Sequence, residues 1–370
     1  MNVLETGKQR AMALAIGSIV LVTLATGCGS GTATKAGKAE SPSRVVLRAA
    51  GFAEVPAVEF FRKRVAELSH GALRVEIVDS WDNLEQDREQ HFVSLVADGT
   101  ADLGWVNTWA FDTLGVTSFQ ALTAPMLIES YPLEQAVLAS DIPARMLPGL
   151  AALEVTGLAL FGDVLRKPSA VEHPLLQPAD WRGLKVAVGR SRVISDAVSG
   201  LGATPIPVGL DELPAFLRSG KVQAATVNIA HYASAGLDFY APYLTQNVNL
   251  WPGVITLIGN PHRLALLSPD QRGWIDEAAK EASARSTELT EQAEPPLLAS
   301  LCERGARFAT ASQAQLAALR HTFAPVVERL ERDAASRAFV TEILRLKRST
   351  PGVAEYAVPP TCRDRKGATP

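Results

Sequence analysis

The stretch from Trp181 to Asn228 constrains this chain most. It reads as apolar strand, helix, Gly202, strand, helix, Gly220, strand. Strands that alternate with helices on short connections imply right-handed crossovers and a mainly parallel sheet. An earlier stretch follows the same order: Val58, Phe61, Val65 and Leu68 recur at helical spacing, and Gly71 stands where a left-handed helix cap is usual. Leu73, Val75 and Ile77 then alternate with Arg74 and Glu76 as a strand. A helix from about Glu85 to Ala97, then Gly99, and a strand from Ala101 to Val106 complete it. In detail, VADGTADLGWVN (Val96 to Asn107) and LRSGKVQAATVN (Leu217 to Asn228) share a helix end, a glycine, a polar residue and a short apolar strand ending in Asn. Two such units predict two α/β lobes. Their equivalent strand C-termini carry Trp105, Asn107, Val227 and Asn228, and ligands in open α/β sheets bind outside those ends.

Beyond the second unit, Leu250 to Ile258 reads as a crossover strand returning to the first lobe. Ser268-Pro269-Asp270 starts a helix, with Pro at an early helical position. The polar, Ala- and Glu-rich run that follows extends to about Arg304 and is expected to break near Pro295-Pro296. Helices over about Gln313 to Arg332 and Ala334 to Leu346 are expected to pack on the second lobe.

The N-terminus says where the chain works. Lys8 and Arg10 precede an apolar run from Ala11 to Ala25, and Ala25-Thr26-Gly27-Cys28 leads into a small, polar stretch to Ser43. This is the layout of an export signal with a lipobox-like cysteine, cleaved before Cys28 so that its thiol takes a lipid anchor. An uncleaved membrane anchor is the alternative, although the run is short for about 30 Å of hydrocarbon. Residues 28–43 read as a flexible tether. Cys302 and Cys362 remain, and in an exported chain they either form one disulfide or stay as two unpaired thiols. The formal net charge of -3 favours neither nucleic acid nor an anionic membrane surface as partner. His70, His91, His173, His231, His262 and His321 show no metal-ligand spacing, and there is no nucleophile elbow, phosphate loop or dinucleotide fingerprint. No cofactor and no catalysis are expected.

The ordered series FFRKRVAELSHGALRVEI, VADGTADLGWV, Ala124-Pro125-Met126-Leu127, Arg166 before an extended segment, WRGLKVAV, LGATPIPV and LSPDQRGWIDEAA spans most of Arg44 to Arg348. It resembles the solute-binding proteins of tripartite ATP-independent periplasmic (TRAP) transporters, the DctP-like family. The resemblance implies a two-lobed periplasmic-binding-protein-like α/β fold with a long helix spanning the hinge. Lobe I would comprise 44–163 plus 252–292, lobe II 164–251 plus 293–348, and 349–370 a C-terminal tail. It also implies the partners: a small organic solute, with carboxylates among the candidates, and the membrane permease of a TRAP system.

Site residues follow residue by residue. The arginine that family members usually carry after the Gly-Leu-Lys element, and that grips a ligand carboxylate, is replaced here by Ala187. Lys185 lacks the planar fork that would substitute for it. Arg190 and Arg192 lie just beyond and either reach inward or face solvent. Arg166 stands at the spacing of a second ligand-contacting arginine, the alternative being a solvated loop residue beside Lys167 and Pro168. Asn228 lies one residue past the family's usual asparagine position, which Val227 occupies; strand neighbours face opposite ways, so only a bulge would realign it. Phe52, Trp81, Trp105, Trp109, Tyr232 and Trp251 supply either the apolar walls of a pocket or plain core. Two functions fit. The first is a lipid-anchored receptor that captures a solute and delivers it to a TRAP permease; the second is a sensor or scaffold lipoprotein that kept the fold and signals to a membrane partner. With Ala187 in place of arginine, the ligand is expected to be a more neutral or aromatic solute, or an anion held by Arg166 instead.

Overall fold

The alternation at Leu73, Val75 and Ile77 becomes an edge strand with one apolar face: Leu73 and Val75 are buried, while Arg74 and Glu76 are exposed. The computed structural model describes residues 44–52, 55–78, 87–350 and 362, all within the compact unit Pro42–Pro370. In chain order its strands are β1 (Val45–Ala50), β2 (Leu73–Ile77), β3 (Leu103–Asn107), β4 (Thr156–Phe161), β5 (Leu165–Ala170) and β6 (Lys185–Val188). They continue as β7 (Thr204–Pro207), β8 (Ala224–Val227), β9 (Tyr243–Thr245), β10 (Trp251–Pro252), β11 (Ile255–Gly259) and β12 (Arg307–Ala309). The first lobe holds a five-stranded sheet in the order β2-β1-β3-β11-β4, and the second a sheet ordered β12-β9-β5-β8-β6-β7, with β10 also on β5. In each sheet one strand runs against the rest. These are β11 and β5, the strands that arrive from the opposite lobe.

Each sheet is covered on both faces. Trp105 and its neighbour Val106 point to opposite sides of β3 and belong to different cores, one with Phe61, Val65 and Ala279 and one with Phe92, Val96 and Leu133. In the second lobe Val186 and Val188 join Trp181, Ile194 and Phe323, while Ala187 joins Leu213, Leu217 and Leu301. Glycine ends the helices as the repeated pattern requires. Gly99 and Gly220, with φ of 79° and 71°, follow the helices Arg88–Ala97 and Leu213–Arg218, a left-handed conformation that any Cβ would strain.

The helix Pro269–Arg304 runs 36 residues, about 54 Å, with a capping box between Ser268 and Gln271 at its start and Gly305 at φ 98° past its end. The expected break at Pro295-Pro296 does not occur. Two backbone donors are missing there, but the helix is fastened on either side of the prolines by Glu294, bonded to the Tyr131 hydroxyl, and by Leu298 and Leu301 in the second lobe's core. Tertiary packing outweighs the local penalty.

The C-terminal helices also differ from expectation. Gln313–Leu330 places Leu316, Leu319 and Phe323 on the second lobe, but its later residues Val326 and Leu330 meet the first. Ala334–Ser349 lies on the first lobe, burying Phe339, Val340 and Ile343 beside Leu127, Leu133 and Val137. Burying each such side chain contributes about 1.5–3 kcal/mol, so this apolar face decides where the helix sits. The strap crosses between lobes instead of ending on the second. Cys302 on the long helix is bridged to Cys362, with their Cα atoms 5.6 Å apart. Among the described residues no single helix is long and apolar enough to cross a membrane. The export signal, Cys28 and the tether fall outside the described residues.

Candidate functional site

The two lobes meet across a cleft that divides into two chambers. The larger encloses about 460 Å³ and is lined from the first lobe by Phe52, Asn107 and Ile255, from the second by Arg166, Asn228 and His231, and from the long helix by Thr290 and Glu294. The smaller, about 70 Å³, is lined by Trp109, Ala187, Val188, Ile194, Leu213 and Trp251, among others. Phe52, Arg88, Arg166 and Leu210 border both.

Arg166 lies at this junction because β5 carries the chain from the first lobe to the second and β10 pairs with it, Trp251 opposite Arg166. Its side chain is buried at 6% exposure and its guanidinium stands 4.8 Å from the centre of the Trp109 ring. Nε has no hydrogen-bond partner, and among the described residues no carboxylate lies within salt-bridge distance. Burial pushes the guanidinium pKa down, opposed by the charges of Asp163 and Glu89. A buried cation in this state is costly unless an anion meets it.

Glu89 sits at the start of the helix Arg88–Ala97 and lines the smaller chamber. The Asn107 amide donates to its Oε1 at 2.6 Å, yet burial pushes the carboxyl up to about 7, against the pull of Asn107 and Arg166. Asp163, at the crossing between β4 and β5, is likewise pushed up to about 6 by burial, with Arg166 opposing. Behind it Glu134 is held well above the usual carboxylate range by burial and by the charge of Asp163. Gly162 fits this crossing because a Cβ there would lie 2.5 Å from Thr287 Oγ1 and 3.2 Å from Glu134.

Polar contacts join the lobes around the cleft. Arg88 pairs with Asp211, Arg190 with Asp87 at 3.5 Å, and Gln90 Nε2 donates to the Arg190 carbonyl at 3.2 Å. Asp112 of the first lobe accepts from the Ser191 hydroxyl at 2.6 Å and from the backbone N–H groups of Arg192 and Val193, both at 3.1 Å. It thereby caps the second-lobe helix Arg192–Gly200. Trp109 reaches across as well: a Cβ on Gly189 would stand 3.1 Å from its Nε1, so glycine lets the indole lie on the backbone after β6.

The structure places most sequence candidates at the cleft, but not all. Arg166, Phe52, Trp251, Arg190 and Asn228 line it. Asn228 does so without a bulge, since β8 ends at Val227 and Asn228 caps the next helix, its Oδ1 accepting from His231 N at 2.5 Å. Val227 is core. Arg190 is half-exposed and engaged with Asp87, and Arg192 lines neither chamber. Trp105 is a correction: its indole is wholly buried beneath Gly51 and donates to the Phe52 carbonyl at 2.8 Å. It positions Phe52 and touches no cavity, because β3 alternation turns it onto the helix Pro56–Leu68. Tyr232 is core too, its hydroxyl donating to the Ala241 carbonyl at 2.7 Å. Trp81 lies outside the described residues. Sequence reasoning missed Arg88, Glu89, Asp163 and Glu294, charged residues that only the tertiary fold turns inward. Among the described residues no group of three His, Cys, Asp or Glu side chains is arranged to hold a metal ion.

Two α/β lobes joined by crossing strands, with a buried, unmatched guanidinium where their edges meet, define a carrier that encloses a small solute between its lobes. Residues 47–333 match the bacterial extracellular solute-binding protein family 7, DctP, and the chain belongs to that family. A solute-binding protein of Chromohalobacter salexigens is 24% identical over 242 residues, covering 64% of this chain and 69% of its own length. A TRAP periplasmic solute-binding protein of Roseobacter denitrificans, solved with β-D-glucuronate, superimposes with a TM-score of 0.72 at 22% identity, over 81% of this chain and 99% of that one. One from Shewanella oneidensis with bound succinate gives 0.74 at 16% identity, over 82% and 99%. These likenesses establish the shared fold. The family is one of extracytoplasmic binding components, so the chain is a solute-binding protein and not an enzyme.

Proposed function

We propose that this chain captures a small organic acid in the interlobe cleft, holds its carboxylate on Arg166 and delivers it to a TRAP-type membrane transporter, with a lipid on Cys28 anchoring the carrier outside the cell membrane. The observation that carries this reading is the buried Arg166 guanidinium, roofed by Trp109 and without a carboxylate partner. It favours the anion branch over a neutral solute. Relatives solved with glucuronate and with succinate support an acid, and the 460 Å³ chamber falls in the range of small-molecule sites. The lobes would part and close about the crossings near Asp163 to Lys167 and Leu250 to Gly253.

The test is a thermal-shift screen of organic acids, followed by calorimetry on the best binder with Arg166→Gln. Two charge-assisted bonds at about 1.5–3 kcal/mol each predict a loss of about 10²–10⁴-fold in affinity. Tight binding of a small dicarboxylate that survives Arg166→Gln would defeat the reading and move attention to Arg190 and Arg192.

A further inference from the structure

One wall of the smaller chamber is apolar, facing a rim of charged and polar residues that includes Arg88, Glu89 and Gln90. Trp109, Ala187, Val188, Ile194, Leu213 and Trp251 form that wall, each of them more than nine-tenths buried. The chamber has room because residue 187 ends at Cβ, while the space left by Gly189 is taken by the Trp109 indole. Arg88 is paired with Asp211 and Arg190 with Asp87, while Glu89 takes the Asn107 amide on Oε1 and has no partner for Oε2. Arg166 borders it with an unmet donor, its Nε. At about 70 Å³ it holds roughly five waters, or an alkyl branch of about three to five carbons.

From this geometry we infer that the smaller chamber is a specificity pocket for a short apolar substituent carried next to the ligand's carboxylate. The inference rests on the reading of Arg166 as the carboxylate anchor. A carboxylate on Arg166 stands where both chambers open, so the carbon bearing it can send one branch into each. The branch that lies against the Ala187 wall is apolar, since a charged group there would lose its water and find no partner on Trp109, Val188, Ile194, Leu213 or Trp251. The ligand class is therefore a small monocarboxylate with an alkyl branch on one side and a polar group on the other, the latter within reach of the unpartnered Asn107 Oδ1 in the larger chamber.

Calorimetry with a graded series of 2-hydroxy acids tests this: glycolate, lactate, 2-hydroxyisovalerate and 2-hydroxyisocaproate, with malate as the charged comparison. The dissociation constant should fall about fourfold for each methyl or methylene buried, and malate should bind at least about tenfold more weakly than the best alkyl acid. Ala187→Leu fills the chamber and should collapse the affinity ratio of 2-hydroxyisocaproate to glycolate towards one. Ile194→Ala enlarges it and should move the optimum to a longer chain, which keeps the test decisive should Ala187→Leu fold poorly. A flat series, malate as the tightest binder, no binding by any member, or a ratio indifferent to both substitutions overturns the proposal. Arg166→Gln separates the two readings. Loss of every acid with that variant leaves the anchor standing whatever the ratios show, while unchanged affinities sink the anchor irrespective of the chamber.

Discussion

Replacing Glu89 by Gln should make the protein more stable at alkaline pH and leave it nearly unchanged in acid. The carboxyl's Oε2 is buried, and the group titrates at about 7 in the folded chain, against 4.5 for its ordinary value. A carboxyl raised on folding contributes its stability below the unfolded value and loses it as pH rises through the folded one. The interval from 4.5 to about 7 corresponds to about 3 kcal/mol. E89Q keeps an oxygen for the Asn107 amide to donate to, and it does not titrate. Urea unfolding of both proteins should therefore agree to within about 1 kcal/mol near pH 5 and diverge by about 2–3 kcal/mol near pH 8, with E89Q the more stable. Asp163 and Glu134 titrate in both proteins, so they drop out of the difference. The same charge bears on capture. Ionised Glu89 repels an anion on Arg166, so affinity for an acid should weaken by up to about tenfold per pH unit above 7 in the native chain and stay level in E89Q. Stability curves that run parallel from pH 5 to pH 8 would refute the argument that burial, and not Asn107 or Arg166, governs this carboxyl.

Other predictions are more direct. Asp112→Ala removes the cross-lobe cap on Arg192–Gly200 and should lower stability by about 1 kcal/mol; it should also enlarge the small-angle scattering radius of the ligand-free protein, and an unchanged radius would mean that Asp112 does not hold the lobes together. Cys302 and Cys362 should be recovered as one linked peptide from exported protein without reductant. Their separation of 60 residues predicts a loss of about 4 kcal/mol on Cys302→Ser, and two alkylated free thiols from native protein would contradict the pairing. Cys28→Ala should release soluble protein or stall an uncleaved precursor, whereas a variant processed and membrane-bound as before would disprove lipidation.

Much of the fold was legible because its signals are local. Gly99 and Gly220 end helices through a backbone conformation that other residues resist, and Leu73, Val75 and Ile77 alternate because one side of β2 is wet. Arg166 was singled out by the resemblance to the DctP-like family, whose members often carry a ligand-contacting arginine at that place. What escaped depends on partners far away in sequence. Trp105 and Trp109 look equivalent in the chain, yet strand alternation sends the first into the core and a turn sends the second over Arg166. Asp163 and Glu294 read as ordinary solvated acids until distant helices and crossings bury them, and Glu89 until its carboxyl turns into the cleft. The helix Ala334–Ser349 has an evident apolar face, but nothing within it says which lobe supplies the matching surface.

The exchange of β5 and β11 between the lobes bears on how the chain comes to be folded. β3 and β4 are joined only through β11, so the first sheet has two open edges until Gly259 has been synthesised, by which point the second lobe's β5 to β9 have already emerged. Neither lobe is a contiguous segment that can finish ahead of the other, and a chain stopped before residue 255 would expose both edges to foreign strands. Despite its separate cores and its cleft, the molecule should assemble as a single cooperative event, with each lobe waiting for the strand that the other sends.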